Sequence, residues 1–320
     1  MPRPFRPRTD VHPRFRGHRD QRRGAHSDPP ADRAAGHAPP RLARRPVAVP
    51  LDLHVHSTFS DGTFAPEDLV AHASALGLDA LAIADHDCVD GVPAALDAAS
   101  EHGLLLVPAV ELSCSWRGHD VHVLGYFVDH TDAAFRRRLD LLRDARRERA
   151  ARIVSSLEHA GYDVSLDEVM RLAEDGSVGR THVARALLER GHVGTVAEAF
   201  ERFLARDRPF YVPKAETEPA EAVATILAGR GLPVLAHPGV TRVDDLIPDL
   251  VAAGLRGLEA YHGDHTPQDR TRYAAMAAAG GLLVTGGSDY HGPGFPNPPM
   301  GETHVPDEVL PALLAAAGLA

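Results

Sequence analysis

Cysteine is scarce in this chain. Its 320 residues include only Cys88 and Cys114, which are too far apart to form a Cys-x-x-Cys pair. Two such thiols imply neither a disulfide framework nor a cysteine zinc site, and they make a reducing cytoplasm the default location.

Long apolar runs and several familiar catalytic motifs are also missing. No stretch is long enough to cross a membrane, so we expect a soluble, cytoplasmic protein with no membrane partner. The sequence has no Gly-x-Ser-x-Gly elbow and no Walker A loop, so it lacks the signals of a covalent serine intermediate or a P-loop. Aromatic residues make up only 5% of the chain, as suits a helix-rich α/β protein.

Net positive charge is confined to one end of the chain. The net charge is −10, but residues 1–48 carry twelve arginines and four acids (+8), which leaves −18 for the remainder. We predict that residues 1–48 are a disordered basic tail that could hold RNA, or that the start codon is assigned too far upstream. The acidic remainder does not exclude phosphate substrates, because bound metal ions reverse the local charge.

Histidine, in contrast, is abundant, with twenty residues. The segment Leu51-Asp52-Leu53-His54-Val55-His56 alternates in a way that predicts a strand. His54 and His56 would then face the same side and could bind one ion. An isolated His-x-His is a weak motif, equally consistent with two structural histidines.

Strand and helix signals alternate along most of the chain. Short connections predict parallel strands joined by crossover helices, with polar residues at the carboxyl ends of the strands, where α/β folds place their sites. Residues 133–208 lack strand signals and are predicted to form a helical insertion with an arginine-rich face. Most of these arginines are typical of a solvated helix surface. Ser165 with Glu168 and Thr195 with Glu198 predict capping boxes.

Nine ligand-type side chains fall near predicted strand ends. They are His54, His56, Asp61, His86, Glu111, His122, His237, Asp289 and His291. Together they favour a metal centre over separate structural histidines. Imidazole and carboxylate ligands suit Mn²⁺, Zn²⁺ or Fe²⁺ and do not choose among them.

Segments that contain eight of these residues, all except His122, resemble the motifs of the polymerase and histidinol phosphatase (PHP) family. They are Leu53-His54-Val55-His56-Ser57, Ser60-Asp61-Gly62, Ala84-Asp85-His86-Asp87, Val110-Glu111-Leu112-Ser113, Ala236-His237-Pro238 and Gly287-Ser288-Asp289-Tyr290-His291. The resemblance implies an α/β fold, a distorted (β/α)7 TIM-like barrel at residues 49–132 and 209–320, with the helical insertion at 133–208. It also implies two or three divalent metal ions. The first would be held by His54, His56, Glu111 and Asp289, the second by Glu111, His122 and His237, and the third by Asp61, His86 and His291.

The stretch between His122 and His237, which contains the insertion, resembles one branch of this family, the nucleoside 3',5'-bisphosphate phosphatases and related short-RNA 5'-to-3' exonucleases. The matching segments are Arg149-Ala150-Ala151-Arg152-Ile153-Val154, Gly179-Arg180-Thr181-His182-Val183-Ala184 and Tyr211-Val212-Pro213-Lys214. We expect Arg149, Arg152, Arg180, His182 and Lys214 to contact substrate phosphate or ribose.

The resemblance implies a phosphoesterase whose metal-activated hydroxide attacks phosphorus. Asp289 and Glu111 would be catalytic through the ions, and His182 or a nearby water would protonate the leaving oxygen. The expected substrate is a nucleoside 3',5'-bisphosphate, cleaved at its 3'-phosphate, or a short 5'-phosphorylated RNA, with no obligate protein partner. A histidinol-phosphate phosphatase, a non-catalytic accessory barrel and an RNA-binding protein acting through residues 1–48 remain as alternatives. Glu259, His262 and His265 lie near a strand end without an assigned role.

Overall fold

The computed structural model describes residues 50–174, 176–214 and 217–319, so the predicted basic tail at residues 1–48 lies outside the described residues. The strands are β1 (Leu51–Val55), β2 (Ala80–Ile83), β3 (Leu105–Leu106), β4 (Ala109–Trp116), β5 (His119–Tyr126), β6 (Leu232–Leu235), β7 (Gly257–His262) and β8 (Leu283–Gly287). The helices are α1 (Pro66–Ala75), α2 (Val92–His102), α3 (Ala133–His159), α4 (Leu166–Ala173), α5 (Arg180–Glu189), α6 (Val196–Ala199), α7 (Pro219–Ala228), α8 (Pro238–Thr241), α9 (Ile247–Ala253), α10 (Pro267–Gly280) and α11 (Val309–Ala316). None of the described helices is both long and apolar enough to span a membrane.

The strands form two sheets. The first has the order β1-β2-β3 and is parallel throughout. The second has the order β4-β5-β6-β7-β8, in which β6, β7 and β8 are parallel whereas β5 runs antiparallel to both of its neighbours. This arrangement confirms the predicted α/β class with parallel strands.

The antiparallel hairpin of β4 and β5 is the main departure from the sequence prediction. Arg117 and Gly118 connect the two strands with φ values of 48° and 74°, and positive φ at both central residues is the geometry of a tight hairpin turn. Because β5 is antiparallel to β4, the beginning of β5 lies beside the end of β4, and His122 pairs with Ser113. The predicted ligand His122 therefore reaches the same edge as Glu111 without a crossover helix.

The predicted helical insertion has its own apolar core. Side chains from α3 to α6 form one buried cluster that includes Ile153, Leu157, Val183 and Leu187. The capping box of Ser165 and Glu168 is complete. At Thr195 only half of the box forms, because Glu198 accepts a hydrogen bond from Gly194 instead of from the Thr195 amide.

Backbone hydrogen bonds also connect strand ends of the two sheets. The His56 amide donates to Tyr290 at 2.9 Å and the Asp289 amide donates to His54 at 2.8 Å, joining β1 to the segment after β8. The Glu111 amide donates to Asp85 at 3.1 Å, joining β4 to the end of β2. These contacts bring the motif-bearing segments to one place in the fold.

Glycine is required where β8 passes β1. A Cβ at Gly287 would lie 2.5 Å from the backbone nitrogen of His54. Gly287 belongs to β8 itself, so its role is to permit this close approach of two strands.

Candidate metal centre

All nine predicted ligands meet in one cluster. They lie on or directly after β1 (His54 and His56), after β2 (His86), on β4 (Glu111) and β5 (His122), after β6 (His237), after β8 (Asp289 and His291), and in the loop that follows β1 (Asp61). Their side chains are largely buried: the exposed fraction is 0% for both His54 and His56 and 18% for His122.

Glu111 is the centre of the cluster, and each of its oxygens faces a different set of histidines. Oε1 lies 2.8 Å from His122 Nδ1 and 3.2 Å from His237 Nε2. Oε2 lies 3.5 Å from His54 Nε2 and 3.4 Å from His56 Nε2. One carboxylate therefore stands between two groups of ligand atoms.

Asp289 and Asp61 are the other two carboxylates among the nine predicted ligands, and each faces at least two histidines. Asp289 Oδ1 is 3.4 Å from His54 Nε2 and 3.0 Å from His56 Nε2. Asp61 Oδ1 is 3.2 Å from His291 Nε2 and 3.9 Å from His86 Nε2. Asp289 has a φ of 55°, a left-handed conformation that is uncommon for a residue other than glycine and occurs at functional sites.

Buried atoms without hydrogen-bond partners indicate that these residues fit cations. Within the described part of the chain they include Asp61 Oδ1, His86 Nδ1, Glu111 Oε2 and His122 Nδ1. His86 Nδ1 and Glu111 Oε2 are 2.9 Å apart, yet they are not aligned as a hydrogen bond. Buried polar atoms without partners are costly, whereas nitrogen and carboxylate atoms that converge in this way can share a divalent ion.

Ligand atoms within 4.8 Å of one another define the candidate groups. They are His56, Asp61, His86 and His291; His54, His56 and Asp289; His86, Glu111 and His122; and His54, Glu259 and His262. His86 thus adjoins Glu111 and His122 as well as the Asp61 group to which the family resemblance assigns it.

Burial and charge set the protonation of the histidines. Burial lowers the pKa of His56 to about 4 and that of His122 to about 3, so both rings are neutral near pH 7. For His291, the carboxylates of Asp61 and Asp289 outweigh burial and raise the pKa to about 10. Since a neutral imidazole is the form that binds metal, binding of a cation at His291 would displace a proton.

Three residues without a predicted role lie directly behind the ligands. Glu259 Oε1 is 2.9 Å from His54 Nδ1. His262 Nε2 is 3.6 Å from Asp289 Oδ2, and His265 Nε2 accepts a hydrogen bond of 3.0 Å from the Gly239 amide. The sequence indicates these residues through their position near the end of β7. It does not reveal their contacts, because those contacts join segments that are distant in sequence.

Buried carboxyl groups also hold the loops that carry the ligands. Asp85 accepts hydrogen bonds from the Ser57 amide at 2.8 Å and from Ser60 Oγ at 2.6 Å. Asp52 accepts from the Ser288 amide at 2.9 Å. Burial raises the pKa of both carboxyl groups, although these hydrogen bonds partly oppose that rise.

A basic cavity adjoins the ligand cluster. Its lining includes Arg146, Arg149 and Lys214, together with Asp87 and Ser113. Lys214 Nζ lies 2.9 Å from His122 Nε2, which places the cavity directly beside a predicted ligand. Arg146, which the sequence did not single out as a substrate contact, binds Asp87 and Ser113 at 2.5 Å each.

Arg149 is the most buried of the arginines predicted to contact phosphate. Its Nε donates to the Val212 carbonyl at 2.7 Å, while its Nη2 is buried without a hydrogen-bond partner among the described residues. Arg180 donates to Asp120 at 2.8 Å and stands beside the ring of Tyr211.

Neither Arg152 nor His182 lines the basic cavity. Arg152 is exposed on α3. His182 is 1% exposed, and its Nδ1 accepts a hydrogen bond of 3.0 Å from the Gly179 amide. Burial lowers the pKa of His182 to about 4, so the ring is neutral near pH 7 and suited to holding the start of α5.

Comparison with known proteins identifies the family. A PHP domain model matches residues 52–227. The chain is 36% identical over 259 residues to a 3',5'-nucleoside bisphosphate phosphatase of Chromobacterium violaceum, covering 79% of this chain and 91% of that protein. It is also 36% identical over 260 residues to the 5'-3' exoribonuclease Rnm of Salmonella typhimurium, covering 77% of this chain and 86% of that protein.

A solved structure supports the same relationship. A protein of Bifidobacterium adolescentis assigned as a metal-dependent phosphoesterase superimposes with a TM-score of 0.78 and 34% sequence identity, covering 85% of this chain and 97% of that one. The predicted resemblance is thus confirmed over most of the chain. The chain belongs to the PHP family and is a metal-dependent hydrolase of phosphate ester bonds.

Proposed function

We propose that this protein hydrolyses the 3'-phosphate of nucleoside 3',5'-bisphosphates and also acts on short 5'-phosphorylated RNA. The observation that carries the proposal is the contact of 2.9 Å between Lys214 and His122, which joins the basic cavity to the ligand cluster. A substrate with two phosphates could present one to the ligands and the other to the cavity. The two relatives, a 3',5'-nucleoside bisphosphate phosphatase and a 5'-3' exoribonuclease, support this substrate class.

The cluster would hold three divalent cations, of which Mn²⁺, Zn²⁺ and Fe²⁺ suit the ligands. We assign His54, His56, Glu111 and Asp289 to the first group, Glu111, His122 and His237 to the second, and Asp61, His86 and His291 to the third. When bound, such ions lower the pKa of water and neutralise charge that develops on phosphoryl oxygens. The position of Glu111 between the first two groups supports this division.

Residues of the insertion, together with Lys214 just after it, would bind and orient the substrate. Arg149, Arg180 and Lys214 carry the positive charge that recognises the second phosphate, and Asp120 holds two of them in place, at 2.8 Å from Arg180 and 3.5 Å from Lys214. We assign protonation of the leaving oxygen to water rather than to His182, because the His182 ring is buried, neutral and bonded to Gly179.

The basic cavity and the ligand cluster weigh against two alternative functions. A histidinol-phosphate phosphatase needs to bind a single phosphate on an amine-bearing substrate, so Arg149 and Lys214 would have no second phosphate to bind. A non-catalytic accessory barrel would not need all nine ligands to converge.

We further propose that the two sheets close into the distorted (β/α)7 barrel that the family resemblance implies. The backbone hydrogen bonds from His56 to Tyr290 and from Glu111 to Asp85 support closure, because they connect the ends of β1 and β2 to the second sheet.

The test is phosphate release from adenosine 3',5'-bisphosphate by purified protein with added Mn²⁺, beside a chelated control and histidinol phosphate. We expect chelator-sensitive release that is much faster from the bisphosphate. Release from histidinol phosphate alone would overturn the substrate assignment, and release that is indifferent to the chelator would overturn the metal mechanism.

A further inference from the structure

Glu259 lies on β7, a strand that supplies none of the nine predicted ligands. Its carboxylate is completely buried and contacts two of them. Oε1 is 2.9 Å from His54 Nδ1, and Oε2 accepts a hydrogen bond of 2.8 Å from the backbone amide of His237. One side chain therefore touches a residue of the first ligand group and a residue of the second.

The contact with His54 determines which ring nitrogen is available to a cation. A carboxylate beside Nδ1 keeps the proton on that nitrogen, so Nε2 presents its lone pair. Nε2 is the atom that faces the rest of the cluster, at 3.5 Å from Glu111 and 3.4 Å from Asp289. Glu259 thus holds His54 in the tautomer that can ligate.

The contact with His237 acts on the backbone. His237 has φ and ψ of 30° and 55°, a left-handed conformation that is unfavourable for a residue with a side chain. The Glu259 hydrogen bond fixes the amide of this residue, and the bond from the Gly239 amide to His265 fixes the turn two residues later. In this conformation His237 Nε2 lies 3.2 Å from Glu111 Oε1.

We propose that Glu259 is a positioning residue that orients His54 and His237 together, so that the first and second ligand groups bind their cations as one unit. The inference rests on the proposed function, because it takes these groups to be metal sites. The third group differs: among the contacts of the described residues, none joins Glu259 to Asp61, His86 or His291.

Only a carboxylate of this length meets both requirements. Both partners of Glu259 are N–H donors, and glutamine offers one acceptor oxygen and one amide that is itself a donor. Glu259→Gln can therefore satisfy either His54 or His237 but not both. Glu259→Asp keeps two acceptors, but its side chain is one methylene shorter, so its carboxylate would lie farther from both donors.

The test measures metal binding without reference to catalysis. Full-length wild-type protein, Glu259→Gln and Glu259→Asp would be dialysed against a series of free Mn²⁺ concentrations, and the Mn²⁺ bound per chain measured by elemental analysis. Glu168→Gln is the matched control, because Glu168 caps α4 in the insertion, away from the ligands. Circular dichroism verifies that each variant is folded, and Glu259→Asp provides the test if Glu259→Gln does not fold.

In both Glu259 variants we expect two of the three sites to need about 10- to 100-fold more free Mn²⁺, the usual effect of losing an outer-shell partner, while the third site is unchanged. The control should bind as the wild type does. Binding curves of a folded Glu259 variant that match the wild type, or that weaken equally at all three sites, would overturn the positioning role. If the wild-type protein bound no Mn²⁺, the metal assignment underlying the proposed function would fail instead.

Discussion

Replacing Arg149 with methionine tests the proposed recognition of a second phosphate. The Arg149 side chain is only 7% exposed, and burial together with neighbouring Arg180 lowers its pKa to about 10, so it remains charged at pH 7. Its Nη2 has no hydrogen-bond partner among the described residues. Methionine keeps most of the apolar stem while removing the charge.

The expected magnitude follows from one charged hydrogen bond. Such a bond contributes about 1.5–3 kcal/mol, which corresponds to a loss of roughly 10- to 150-fold in kcat/KM. The assay compares adenosine 3',5'-bisphosphate with adenosine 3'-monophosphate, which retains the phosphate to be cleaved but lacks the second. Arg149→Met should lose activity on the bisphosphate and resemble the wild type on the monophosphate.

Arg152→Met is the matched control, since Arg152 is on the same helix but exposed. It should retain wild-type kcat/KM on both substrates. An equal loss on both substrates for Arg149→Met would refute recognition of the second phosphate. A loss for Arg152→Met as large as that for Arg149→Met would refute the distinction drawn from burial.

Three further predictions concern the ligands and His182. Asp289→Asn should abolish phosphate release and reduce the metal content measured by elemental analysis, because Asp289 Oδ1 lies 3.0 Å from His56 Nε2; full activity would contradict its role. Glu111→Gln should lower the number of bound Mn²⁺ ions more than Asp61→Asn, because Glu111 faces two ligand groups; equal losses would contradict the shared position. In the unfolded chain His182 has the usual histidine pKa of about 6.5, but burial lowers its pKa in the folded protein to about 4. Between these two pH values the unfolded state therefore binds more protons than the folded state. The free energy of unfolding should therefore fall by up to about 3 kcal/mol, on account of His182, as the pH falls from 6.5 to 4. Urea unfolding of chelator-treated protein should show a smaller pH dependence for His182→Gln than for the wild type.

The fold class and the nine clustered positions could be predicted because their signals are local. His54 and His56 alternate along one strand, and the other predicted ligands except His122 sit in short motifs near strand ends. The direction of β5 was missed because the turn that reverses it contains only Arg117 and Gly118, a pair without a strong hairpin signal. That reversal is what brings His122 beside Glu111.

The supporting residues could not be predicted because their roles arise from contacts between distant segments. Glu259 and His54 are 205 positions apart in sequence, and neither position contains a motif that would pair them. The arginines of α3 present a related difficulty. Arg146, Arg149 and Arg152 are alike in sequence, and only the packing of the helix decides that the first two line the cavity while the third is exposed.

Anomalous diffraction from crystals grown with Mn²⁺ is the most direct test of the metal centre. We predict strong peaks among the nine ligands, with Glu111 between two of them and a third beside Asp61 and His291. The absence of peaks in the cluster at saturating Mn²⁺, or peaks only elsewhere on the protein, would contradict this prediction.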